Sequence, residues 1–112
     1  MRDARTRLND MLQAIERIEA RMPLTEAEFR ADEMSHVFAL FHLMIVGEAA
    51  NRRPRDITDR YHGIPWKDIS GLRHVVVHGY FATDLAIVWG IIQRDLPALK
   101  LQLERILADL SP

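Results

Sequence analysis

Apolar residues recur at three- and four-residue steps through most of the chain, and alternation of the kind that marks strands is absent. From about Ala4 to Arg21 the positions Leu8, Met11, Leu12, Ile15, Ile18 and Met22 form one apolar face, with Arg, Glu, Asp and Gln opposite. This predicts an amphipathic helix that Pro23 stops. Thr25 with Glu28 three residues later reads as a capping box opening a second helix, over roughly Glu26 to Ala50. The latter half of that segment, SHVFALFHLMIVGEAA, is apolar nearly all round, as expected of the central helix of a bundle. Glu48 is then out of place, since a carboxylate there needs a partner. An arginine from the following loop, or Arg73, would supply one, and a structural ion pair is the simpler role for it.

The segment Asn51 to Gly63 reads as one long surface loop, with Arg52, Arg53, Arg55 and Arg60 against Asp56 and Asp59. It is either a plain solvated loop or a rim that attracts a polyanion. Ile64-Pro65-Trp66 opens a third helix with Pro65 at its first position, and Gly79 is a candidate stop. Thr83 or Asp84 caps the next stripe, Leu85, Val88, Trp89 and Ile92, and Asp95 and Pro97 kink or restart the chain. A final helix carries Leu99, Leu103, Ile106, Leu107 and Leu110. The expected fold is an all-α up-down bundle of four main helices plus a short or kinked fifth. At 112 residues it forms one domain, 1–112, large enough for a real core.

Composition narrows the chemistry. A formal net charge of −1 gives no global pull toward nucleic acid, so any RNA contact must come from a local patch. Thirteen of the 15 basic residues are Arg, the better bidentate phosphate binder, although a GC-rich genome has the same effect. With no cysteine, disulfides, thiolate nucleophiles and Cys-type zinc sites are excluded. A charged N-terminus without an apolar signal core, and no apolar run long enough to span a bilayer, predict a soluble, cytoplasmic chain.

The tight cluster of Arg, His and Tyr lies in Ile64 to Ala82, IPWKDISGLRHVVVHGYFA, as Arg73, His74, His78 and Tyr80. Cleavage of RNA by its own 2′-hydroxyl needs a base to take the hydroxyl proton and a cation for the charge developing on phosphate. His78 fits the first role and Arg73 the second. No metal or other cofactor is required. On an ideal helix a step of five turns about 500°, leaving the two roughly 140° apart. Either the helix unwinds near Gly79, or Arg73 reaches around, or two copies of the chain share one cleft. The alternative is a surface Arg beside a helix-terminal His. His74 with His78, and Asp32 with His36, are spaced as metal-ligand pairs, but neither set is completed at a recognisable spacing, so no metal is expected. His42, on the apolar helix, reads as a core or interface histidine.

The run IPWKDISGLRHVVVHGYFATDLAIVWGIIQRDLPALKLQLERIL, with VGEAANR upstream, resembles the HepT branch of the HEPN superfamily through an R-x4-H-x-Y motif set between IPW and HGYF. His74 stands where that branch often has Asn. The resemblance implies an all-α HEPN bundle and a metal-independent endoribonuclease, the toxin of a type VII-like toxin–antitoxin pair. Arg73 and His78 would be its catalytic pair; His74 and Glu48, which the resemblance does not assign, are candidate supporting residues. It further implies a homodimer with both motifs lining the cleft between protomers, and assembly with an MntA-like nucleotidyltransferase antitoxin. That partner would transfer AMP from ATP to Tyr80, blocking the RNA backbone from the cleft. The competing expectation is a non-catalytic HEPN module that partners a nucleotidyltransferase.

Overall fold

The computed structural model describes residues 3–52, 55–80 and 84–110, and at Asp56 and 78–80 the backbone alone. Helix α1 (Ala4–Arg21) starts where the Asp3 carboxylate accepts the N–H of Thr6 at 2.8 Å, and it ends just before Pro23. Leu8, Met11, Ile15 and Ile18 are buried, as the periodicity predicts. The hydroxyl of Thr25 accepts the N–H of Glu28 (3.1 Å) and donates to its carboxylate (2.9 Å), opening α2 (Glu26–Ala31).

The single helix expected over 26–50 is in fact two. At Asp32 the backbone leaves the helical region (φ −111°, ψ 98°), and α3 (Glu33–Asn51) begins. Asp32 makes the break favourable by capping α3, because its carboxylate accepts from the Met34 N–H (3.2 Å) and the Ser35 hydroxyl (2.7 Å). The turn lets Phe29 enter the core, where it stacks near Trp89 and His36.

The stretch read as a loop holds α4 (Arg55–Arg60), which buries Ile57. Arg53 lies outside the described residues. The third helix is also broken, into α5 (Trp66–Ser70) and α6 (Leu72–Tyr80), with Gly71 between. Pro65 occupies the position before the first helical residue, and α6 runs past Gly79, so glycine does not stop it there. Trp66 anchors the start of α5, buried with its indole N–H donated to the Tyr61 carbonyl at 3.0 Å.

Asp84 precedes α7 (Leu85–Gly90) without a side-chain capping bond, and Thr83 lies outside the described residues. The kink or restart expected at Asp95 and Pro97 takes the form of a π-helical turn (Ile91–Asp95), after which the chain continues as α8 (Leu96–Leu110). Proline lacks an N–H, and its ring crowds the carbonyl four residues back, here Gln93. A π turn around that carbonyl absorbs the misfit without ending the helix.

Four rods result: α1, α3, α5–α6 and α7–α8, all helical among the described residues. One continuous apolar core runs from Leu8 to Ile106. Helix α3 is central, touching α1 as well as α5 and α6. Arg5 donates to the Leu110 carbonyl and Lys100 pairs with Glu19 at 2.9 Å, so α1 and α8 run antiparallel. No helix among the described residues is long and apolar enough to cross a membrane.

The central helix is less buried than its composition predicts. Met34 (71% exposed), Val37 (51%) and Phe41 (62%) face outward, spaced three and four apart. Seven residues beyond Phe41, nearly two full turns, stands Glu48 on that same face.

Candidate active site

The Glu48 carboxylate has the partner that the sequence demands, twice over. Arg73 Nη1 donates to Oε1 at 2.9 Å, and Arg52 Nε donates to Oε2 at 3.2 Å. The Arg73 and Arg52 guanidiniums, in that order, hold the Glu48 carboxyl below its ordinary pKa, so it is ionised throughout the neutral range. Two arginines on one carboxylate leave this corner with a surplus positive charge, in a chain whose net charge is −1.

Arg73 is held from α5 as well. Its Nε donates to the Ser70 carbonyl (3.2 Å) and its Nη2 to the Ser70 hydroxyl (3.4 Å). The Ser70 hydroxyl in turn donates to Asn51 Oδ1 at 2.9 Å, joining the end of α5 to the end of α3. Arg73 remains one-third exposed (34%), so a ligand can reach it. Of its five N–H groups, three are engaged by described residues.

Gly47 brings the two rods this close. A Cβ at that position would stand 3.0 Å from Arg73 Cγ and 3.2 Å from the Arg73 backbone nitrogen. Overpacking of this kind costs about 1–3 kcal/mol, against a helix-propensity gain of about 1 kcal/mol for alanine over glycine. Gly47→Ala should therefore melt several degrees lower than the parent in calorimetry. A rise in melting temperature would mean that α6 yields freely at this contact.

The other sequence candidates are placed as follows. His78 and Tyr80 lie on α6, which is helical through both, but their side chains are outside the described residues. Unwinding near Gly79 is thereby excluded as the means of bringing Arg73 and His78 together. His74 is exposed and joins no member of the Arg73 network. His42 is buried, its Nδ1 bonded to the Phe38 carbonyl (2.8 Å) and its ring 4.2 Å from that of Phe38, a core histidine.

Asp32 and His36 each bond elsewhere. Asp32 is committed to capping α3, and His36 Nε2 bonds the Phe29 carbonyl. Among the described residues no three potential ligands converge. A cavity of about 400 Å³, lined by Pro65, Ile69, Leu72, Leu96 and Leu99 with Asp68 and Asp95, contains no residue of the Arg73 network. Among the described residues, the Glu48, Arg52 and Arg73 cluster lies where α3 meets α5 and α6.

Over residues 11–106 the sequence matches the family model described as HepT-like, "Ribonuclease HepT-like". This chain belongs to that family of the HEPN superfamily. The "Putative RNase MJ1380" of Methanocaldococcus jannaschii is 32% identical over 104 residues, 92% of this chain and 95% of that protein. The "Probable ribonuclease HepT" of Thermococcus cleftensis is 30% identical over 100 residues, covering 88% and 91%. A longer M. jannaschii protein, "Gamma-glutamylcyclotransferase and putative RNase MJ0434", is 30% identical over 111 residues. The match covers 98% of this chain but only half of that relative. No solved structure matches.

Proposed function

We propose that this chain is a metal-independent endoribonuclease, acting in the cytoplasm as the toxin of a toxin–antitoxin pair. The observation that carries the reading is an accessible Arg73, fixed by Glu48 and Ser70, on the same helix as His78 in a HepT-like ribonuclease chain. His78 takes the proton of an RNA 2′-hydroxyl, and the 2′ oxygen attacks the adjacent phosphorus. Arg73 N–H groups stabilise the charge on the non-bridging oxygens. The bond to the 5′ oxygen breaks, that oxygen takes up a proton, and the products carry 2′,3′-cyclic phosphate and 5′-hydroxyl ends.

A second copy of the chain completes the site in this reading. Arg73 turns toward α3, and His78 lies roughly 140° further around α6. The outward stripe of Met34, Val37 and Phe41 leads to Glu48, so a two-fold dimer seated on it brings two Glu48–Arg73 pairs to one cleft. Exposed apolar stripes on a helix commonly mark such interfaces.

The antitoxin is a nucleotidyltransferase, MntA-like, that joins the Tyr80 oxygen to the α-phosphorus of ATP and releases pyrophosphate. The added phosphate competes for Arg73 and obstructs the cleft. Purified, unmodified chain should cut RNA in EDTA and leave cyclic phosphate ends. No cleavage, together with no growth inhibition on expression alone, would instead favour a non-catalytic partner of the nucleotidyltransferase. Intact mass after co-expression should rise by one or more AMP units, and Tyr80→Phe should abolish that rise.

A further inference from the structure

The break between α5 and α6 leaves a carbonyl without its usual partner. In an unbroken helix the His74 N–H would bond the Ser70 carbonyl four residues back. Here it bonds the Gly71 carbonyl at 3.0 Å, and the Ser70 carbonyl becomes an orphan acceptor at a helix C-terminus. Arg73 Nε–H fills that place.

The Ser70 side chain extends the same hold. A hydroxyl has one proton, and that of Ser70 goes to Asn51 Oδ1. Its oxygen can then only accept from Arg73 Nη2. Ser70 itself is buried, which limits the access of water to its hydroxyl and favours these bonds. Glu48 takes Nη1, and each of the three guanidinium nitrogens is tied to an acceptor from the end of α3 or α5.

We infer that Ser70 and Asn51 are positioning residues that fix the plane of the Arg73 guanidinium, with the break at Gly71 presenting both Ser70 acceptors to it. The catalytic consequence rests on the ribonuclease reading; the geometric claim does not. A guanidinium stabilises phosphate through a planar fork, so its plane sets which oxygens it meets. With Asn51 directing the hydroxyl proton, the fork is set before RNA arrives.

The test uses Ser70→Ala, Asn51→Ala and Asn51→Asp in the full chain, the last retaining an acceptor for the Ser70 proton. Nitrogen NMR of Arg73 reads rotation about Nε–Cζ, and cleavage assays separate kcat from KM. Both alanine variants should speed the rotation, averaging the Nη signals, and lower kcat about tenfold with KM little changed. Asn51→Asp should keep slow rotation and most of the kcat. Unchanged Arg73 signals in both alanine variants would overturn the inference. So would losses that follow melting temperature across all three, with Asn51→Asp no better than Asn51→Ala. If the parent cuts no RNA, the ribonuclease reading fails, while the NMR comparison still decides the positioning claim.

Discussion

Arg73→Ala should slow RNA cleavage by about two to three orders of magnitude while lowering the melting temperature by only a few degrees. The two effects separate because the Arg73–Glu48 pair is partly exposed on both sides, a setting in which ion pairs add little to stability, so that the bonds to Ser70 account for what melting temperature is lost. Removing Arg73 does not strand Glu48 either, since Arg52 continues to pair with it. The loss falls on the transition state, where a fixed donor meets charge as it develops. Arg73→Lys should recover only part of the rate, because a point charge cannot reproduce the fork or donate to the Ser70 carbonyl and hydroxyl together. Single-turnover cleavage of a short RNA gives the rates, and calorimetry gives the control. An alanine variant that cuts as fast as the parent would remove Arg73 from the mechanism.

Much of this site was legible in the sequence because charge in an apolar helix is conspicuous. Glu48 near the end of an all-apolar segment had to find a cation, and the cation is Arg73 with Arg52. Helix α1 was legible for a similar reason, its periodicity ending at Pro23. Gly47, Ser70 and Asn51 escaped notice because small or neutral residues gain their roles only from what approaches them. The breaks were hidden too: at Asp32 and Gly71 the apolar periodicity resumes almost at once, so one extended residue or one tightened turn does not disturb the pattern. The Asp32–Ser35 spacing was a capping signal, masked by the competing reading of Asp32 and His36 as ligands. Helix α4, with Ile57 as its buried anchor, is too short for periodicity to declare itself.

Phe41→Asp should convert a dimer to monomers and abolish most cleavage without unfolding the chain. Phe41 is exposed in the protomer, so folding loses little when it is replaced. At a two-fold interface it is buried twice, and losing about 1.5–3 kcal/mol per ring weakens association by about two to four orders of magnitude. Ultracentrifugation reads the mass, and the RNA assay reads the consequence. A variant that stays dimeric would place the interface elsewhere; a monomer that cuts at full rate would make the site complete in one chain. Mixing two inactive variants, Arg73→Ala and His78→Ala, separates these cases further. If each cleft joins Arg73 of one protomer to His78 of the other, a mixed dimer holds one intact cleft. Equal mixing with free exchange should then restore about a quarter of the parent activity, since about half the dimers are mixed and each has one of two clefts intact. If Arg73 and His78 act within one chain, neither protomer of the mixed dimer has both groups, and mixing restores nothing. The roughly 140° between them on α6 favours recovery.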